Sequence, residues 1–176
     1  MINKFLEYLE FEKRYSKHTI VSYKTDLLQF QAYLFLVFDL STEEATHVMI
    51  RSWMVTLVED GISSRTINRK KSTLQVFYKY LKVKVLIEES PMQKVVAPKV
   101  EKRLPHYVKK QDMVSLFSEV EFTNDFSGSR DRLILELFYS TGMRLSELVE
   151  LKEVSVLEDS IKVLGKRNKE RVIPIT

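Results

Sequence analysis

An arginine and a glutamate three residues apart, Arg144 and Glu147, offer the clearest chemistry in this sequence, inside the stretch Tyr139–Leu151, YSTGMRLSELVEL. Residues three apart share a helix face, so the two side chains lie together, with Leu148 and Leu151 as an apolar stripe beside them. Gly142 lets the backbone turn where one helix stops and another begins. A guanidinium fixed at a helix start can grip a phosphate. The same spacing also describes a surface ion pair, so the choice between the two depends on the rest of the chain.

Positive charge is clustered along the chain. The net charge is +4, but Gly61–Lys84 holds seven basic residues and no acidic one, while Asp39–Asp60 holds five acids against one arginine. Lys162–Arg171 holds five basic residues against one glutamate. Clustered positive charge is the footprint of a polyanion partner. Cysteine is absent, which excludes disulfides, cysteine-ligated zinc and thiol catalysis and fits a cytoplasmic setting. Three scattered histidines, His18, His47 and His106, give no metal cluster. No apolar run reaches the length of a membrane span. Neither a phosphate-binding glycine loop nor a Ser/His/Asp or paired-carboxylate constellation stands out.

The elements that must position these residues are mostly helical. Ile2, Phe5, Leu6 and Leu9 mark a first amphipathic helix. Ser16 caps a second, with Ile20, Tyr23, Leu27, Phe30, Leu34 and Val37 as its seam. Thr19 and Lys24 lie near its start, where a phosphate could be met. Ser41–Glu44 reads as a capping box and Thr46 as an equal alternative. Ile50, Trp53, Met54, Leu57 and Val58 form a third helix, closed by Gly61. Ser63 or Ser64 begins a fourth, which packs through Ile67, Leu74, Phe77, Tyr78 and Leu81. Its first turns are polar and basic, offering Ser64, Arg65, Asn68, Arg69, Lys70 and Ser72 to a phosphate backbone rather than to base edges.

Three of the four prolines fall in residues 88–107, together with Lys99, Lys102 and Arg103. The chain therefore reads as a helical domain over residues 1–88, a basic linker over 89–107 and a second domain over 108–176. In the second domain, Met113, Leu116, Phe117 and Val120 mark a short helix. Ser129 is the expected cap of a more apolar one, with Leu133, Ile134, Leu137 and Phe138 buried. Val154–Leu157, Ile161–Leu164 and Val172–Ile175 are β-type runs. The last two form a hairpin with Gly165–Glu170 at its tip, which carries Lys166, Arg167, Lys169 and Arg171.

These motifs resemble the tyrosine recombinase (phage integrase) family, especially its Xer-type members. STGMRLSELVELK resembles the family's first catalytic box. VLGKRNKERVIPI resembles its β-hairpin, and SSRTINRKKSTLQVFYKYL the last helix of its core-binding domain. The likeness spans essentially the whole chain. It implies a mainly α fold: a four-helix, SAM-like core-binding domain followed by the first helices and hairpin of an α+β catalytic domain. It implies site-specific recombination of double-stranded DNA through a phosphotyrosyl intermediate, without cofactor or metal, by a homo- or hetero-tetramer on DNA.

By the same resemblance, Arg144 binds the scissile phosphate, Glu147 holds the active site in place, and Lys166 protonates the departing 5′ oxygen. Such chemistry builds charge on non-bridging oxygens, which preorganised cations stabilise. Arg167 stands where the family commonly has glycine, and Lys71 where an apolar residue is usual. Nothing matches the family's later box of a second arginine with histidines, or its nucleophilic tyrosine. The expectation is a truncated chain that binds DNA but does not cleave it and exposes apolar surface on LILELF. The alternative is a non-enzymatic DNA-binding regulator derived from a recombinase.

Overall fold

The computed structural model describes residues 1–100, 104, 107–165 and 169–175, and these are mainly α-helical, with one two-stranded antiparallel hairpin. The chain divides into two compact units, Met1–Arg103 and Leu104–Thr176. No helix among the described residues is long and apolar enough to cross a membrane.

In the first unit, α1 (Ile2–Glu7) runs directly into a π-helical turn, Tyr8–Glu12. All four apolar residues expected there, Ile2, Phe5, Leu6 and Leu9, are buried. α2 (Lys17–Phe38) starts under Ser16, whose hydroxyl accepts from the Thr19 N–H at 3.4 Å. α3 (His47–Glu59) is capped by Thr46, not by Ser41. The Ser41 N–H and hydroxyl both donate to Glu44, at 3.0 and 2.6 Å, but they close a turn ahead of the helix. α4 (Ser64–Val83) starts under Ser63. Leu27, Phe30, Leu34, Ile50, Trp53, Ile67, Leu74, Phe77, Tyr78 and Leu81 close one shared core. The Tyr78 hydroxyl donates to Thr42 O at 2.8 Å, which satisfies the one polar atom of a fully buried ring. Val37 and Val58, expected on the packed faces, are exposed in the last turns of their helices.

Part of the stretch read as linker is built into this unit. Pro91–Lys94 form a 3₁₀ turn under the Ser90 cap, and Met92 and Val95 are buried in the core. The apolar residues are too widely spaced to show a helical period, yet two suffice to dock the segment.

The second unit holds α5 (Lys110–Glu119), α6 (Phe126–Thr141), α7 (Leu145–Val149), a 3₁₀ turn Glu153–Ser155, and the strands β1 (Ser160–Gly165) and β2 (Lys169–Pro174). The strands pair as Ile161 with Ile173, Val163 with Arg171 and Gly165 with Lys169. A small core of Met143, Ile161, Val163 and Ile173 is flanked by Leu137, Phe138, Leu148, Leu151 and Ile175. The cap of α6 is Asp125, which accepts from the Gly128 N–H at 2.9 Å, so the helix begins a turn earlier than Ser129 would place it. Gly128 permits this. A Cβ there would lie 2.0 Å from Thr123 O. Val154–Leu157 is not a strand; it holds the 3₁₀ turn and a single bridge, Val156 to Ile161. None of Leu133, Ile134, Leu137 and Phe138 is fully buried, and Leu133 is 54% exposed. The apolar face of α6 is wider than the small core it meets among the described residues.

Candidate nucleic-acid interface

Glu147 is the centre of the second unit's polar chemistry. Gly142 ends α6 in the left-handed region, at φ 59°. The chain then runs through buried Met143 to Arg144, extended at φ −81° and ψ 153°, and enters α7. Glu147, at the third position of α7, reaches back to accept the Arg144 N–H on Oε2 at 2.9 Å. Its Oε1 accepts Arg144 Nη1 at 2.8 Å, and its Oε2 accepts Arg171 Nη2 at 2.7 Å. The carboxylate is buried, while the side chains of Arg144 and Arg171 are 63% and 42% exposed. The Arg144 N–H, then the two guanidiniums, hold the Glu147 carboxyl down at about 2 against the upward push of burial. The site therefore presents two guanidinium forks, each with N–H groups to spare, around one fixed anion.

Arg171 is the residue that sequence reasoning passed over, counted only among the basic residues near the hairpin tip. A signal was available. Arg171 stands two residues before Ile173 on the same strand, hence on the same inward face. An arginine on a core-facing position needs an anion, and Glu147 is that anion. Gly165 brings the hairpin close as well, since a Cβ there would lie 3.5 Å from Glu147 Oε1.

A second buried carboxylate, Asp26, organises the first unit. Its Oδ1 accepts Lys70 Nζ at 3.0 Å, and its Oδ2 accepts Thr73 Oγ1 at 2.9 Å and the Arg69 guanidinium. Lys70 also donates to Gln29, and Arg69 Nη1 to Ser22 at 2.8 Å. Lys70 is 5% exposed, with its ammonium 5.9 Å from the Trp53 ring centroid. It was expected to face DNA but is locked inside. The spacing 67, 70, 74 places it on the buried stripe of α4. Asn68 is also spent internally, donating to Pro98 O at 2.9 Å.

The other expected contacts keep their surface positions. Lys24, Arg65, Ser72 and Lys99 are exposed, as is Lys169 in the second unit; Thr19 and Ser64 are half-buried at the starts of α2 and α4. The Ser72 hydroxyl donates to Asn68 O, and the Thr19 hydroxyl pairs with Ser16. Lys102, Arg103, Lys166 and Arg167 lie outside the described residues.

Residues 2–84 match the family model described as phage integrase, N-terminal SAM-like domain, and residues 106–176 match the phage integrase family model. The chain belongs to the tyrosine recombinase (phage integrase) family. It is similar to the tyrosine recombinase XerC of Bacillus subtilis (strain 168), 40% identical over 175 residues, covering 98% of this chain and 57% of that protein. The chain thus spans little more than half the length of the curated relatives it matches. Its fold is similar to a lambda integrase tetramer bound to a Holliday junction, with a TM-score of 0.75, 18% identity, and 98% of this chain and 49% of that one covered. It is also similar to the XerH site-specific recombinase bound to palindromic difH substrate, with a TM-score of 0.67, 19% identity, and 99% and 52% covered.

Proposed function

We propose that this chain provides the DNA-gripping and phosphate-holding parts of a site-specific DNA recombinase that works through a phosphotyrosyl intermediate. The observation that carries the reading is the buried Glu147 carboxylate holding two half-exposed guanidiniums at the start of α7. Arg144 takes the scissile phosphate through the N–H groups it does not spend on Glu147, and Glu147 fixes its direction. Fixed cations of this kind stabilise the charge that builds on the non-bridging oxygens during displacement at phosphorus. Lys166, next after Gly165, is assigned the proton donated to the departing 5′ oxygen, on the sequence motif.

In the first unit, Lys24, Arg65 and Ser72, with Thr19 and Ser64 at the helix starts, meet the phosphate backbone. Arg69 joins them through the part of its guanidinium not held by Asp26. Lys99, Lys102, Arg103, Arg167 and Lys169 extend the contact. The partner is double-stranded DNA, and the working assembly is an oligomer, a tetramer at the strand-exchange stage.

These 176 residues are proposed to bind DNA without cleaving it. Six of the eight tyrosines belong to the first unit. The remaining two, Tyr107 and Tyr139, precede the hairpin, ahead of where the family resemblance expects the nucleophile.

The test is binding of the purified chain to a mixed-sequence DNA duplex across a salt series. Affinity is expected to fall steeply with salt, and Arg65→Ala to flatten the log–log slope by about one. Binding indifferent to salt would remove the DNA reading. Covalent capture of a DNA strand would overturn the inactivity.

A further inference from the structure

Arg171 reaches Glu147 from the hairpin, and its place there is fixed by strand register. It pairs with Val163, and its neighbour two residues on, Ile173, pairs with Ile161. Ile161, Val163 and Ile173 are all buried in the small core. Arg171 therefore stands at the point where the inward face of the hairpin changes from apolar to cationic. Its Nη2 donates to Glu147 Oε2 at 2.7 Å, while Arg144 Nη1 occupies Oε1 at 2.8 Å.

The charge balance gives this contact a consequence. One carboxylate paired with one guanidinium is neutral, and it would hold the Arg144 fork against any incoming anion. One carboxylate between two guanidiniums leaves a net positive charge, and the second cation weakens the hold on the first. We infer that Arg171 is a positioning residue: by occupying Glu147 Oε2 it keeps Arg144 net cationic and free to take a phosphodiester. The inference rests on the reading of Arg144 as the phosphate ligand. Arg171 acts through Glu147 and need not touch the DNA.

The experiment uses the full chain, a mixed-sequence DNA duplex at low salt, and a double-mutant cycle. R144Q and R171Q are each expected to weaken binding about tenfold, and the double variant to bind no more weakly than R144Q alone. R171K, which keeps the charge and the native hairpin, is expected to bind between wild type and R171Q. In the R144Q background it should change nothing. The carboxyl ¹³C resonance of Glu147 is expected to titrate higher in R171Q than in wild type, a shift that a general loosening of the hairpin elsewhere would not produce. Losses that add in the double variant, or an R171K effect that persists without Arg144, would overturn the inference while leaving the phosphate reading intact. R144Q binding as well as wild type would overturn the phosphate role of Arg144, and the inference with it.

Discussion

Asp26 and Glu147 are both buried carboxylates that bind two basic side chains, yet the cations beside them stand in different places. At Asp26 one partner, Lys70, is buried with the acid and held also by Gln29, while the other, Arg69, keeps 47% of its side chain exposed. At Glu147 both partners are arginines that remain about half exposed. The first arrangement ties α2 to α4 and turns one of its two cations inward. The second fixes an anion and turns charge outward. A basic residue near a suspected polyanion site is thus informative only once its partner and its burial are known.

The largest expected effect separates the two directly. Asp26→Asn leaves the Lys70 ammonium buried without its counter-charge, and breaking such a pair costs about 3–5 kcal/mol. Urea unfolding followed by the fluorescence of Trp53, the chain's one tryptophan, measures it within the first unit. A loss under about 1 kcal/mol would mean that Asp26 is no stronger a tie than a surface pair. Glu147→Gln should cost less than Asp26→Asn, because both arginines can turn to water.

The second unit has its own point of weakness away from the charges. Gly128→Ala pushes a methyl group into the Thr123 backbone, which cannot swing aside as a side chain would. The expected loss is about 1–3 kcal/mol, read as faster amide hydrogen exchange along α6, with Trp53 unfolding unchanged. A change at Trp53 would mean that the two units do not unfold independently.

Acid sharpens the comparison further. The folded-state pKa of Glu147, about 2, lies below its ordinary value of 4.5. Its stabilisation is therefore complete above about 4.5 and is lost as pH falls towards 2. Glu147→Gln removes that contribution. The stability gap between wild type and E147Q in the second unit should accordingly shrink over the same window, as followed by amide exchange. A gap constant with pH would mean that the carboxylate is held neither by the Arg144 N–H nor by the guanidiniums.

Periodicity made the helical parts legible because it reports burial directly. Ile2 to Leu9, the seam of α2 through Leu34 and the packed half of α4 all fall where the spacing puts them. Arg144 and Glu147 were legible because a capping geometry is local, three residues long. Three kinds of feature were hidden. Lys70 sits on an apolar stripe, but its charge argues for the surface until Asp26, 44 residues away, is known to meet it. The inward face of Arg171 could be read from Ile173, but its partner, Glu147, lies 24 residues away and depends on strand register. The docking of Met92 and Val95 rests on two side chains without a period. Each is a long-range pairing, and local spacing carries no information about its partner.

α6 and α4 end on different left-handed residues, and this gives the smallest prediction. α6 stops at Gly142, φ 59°, where a left-handed residue costs a glycine nothing. α4 also stops at a left-handed residue, in a paired turn with Val85 N–H to Lys82 O at 3.0 Å and Leu86 N–H to Leu81 O at 2.9 Å. Here the left-handed residue is Val85, φ 57°. A branched Cβ is crowded in that region, at a cost of roughly 1–3 kcal/mol. Val85 is 87% exposed, so its side chain returns almost nothing in packing. Val85→Gly relieves the crowding but frees the unfolded chain, which offsets part of the gain. The expected result is a first unit more stable by about 0.5–1 kcal/mol, seen as a higher urea midpoint at Trp53 with the second unit unaffected. Val85→Asn should move in the same direction by less. If Val85→Gly lowers the midpoint instead, the strain is absorbed at this helix end, and the deeper core of the first unit, not its turn chemistry, sets where α4 stops.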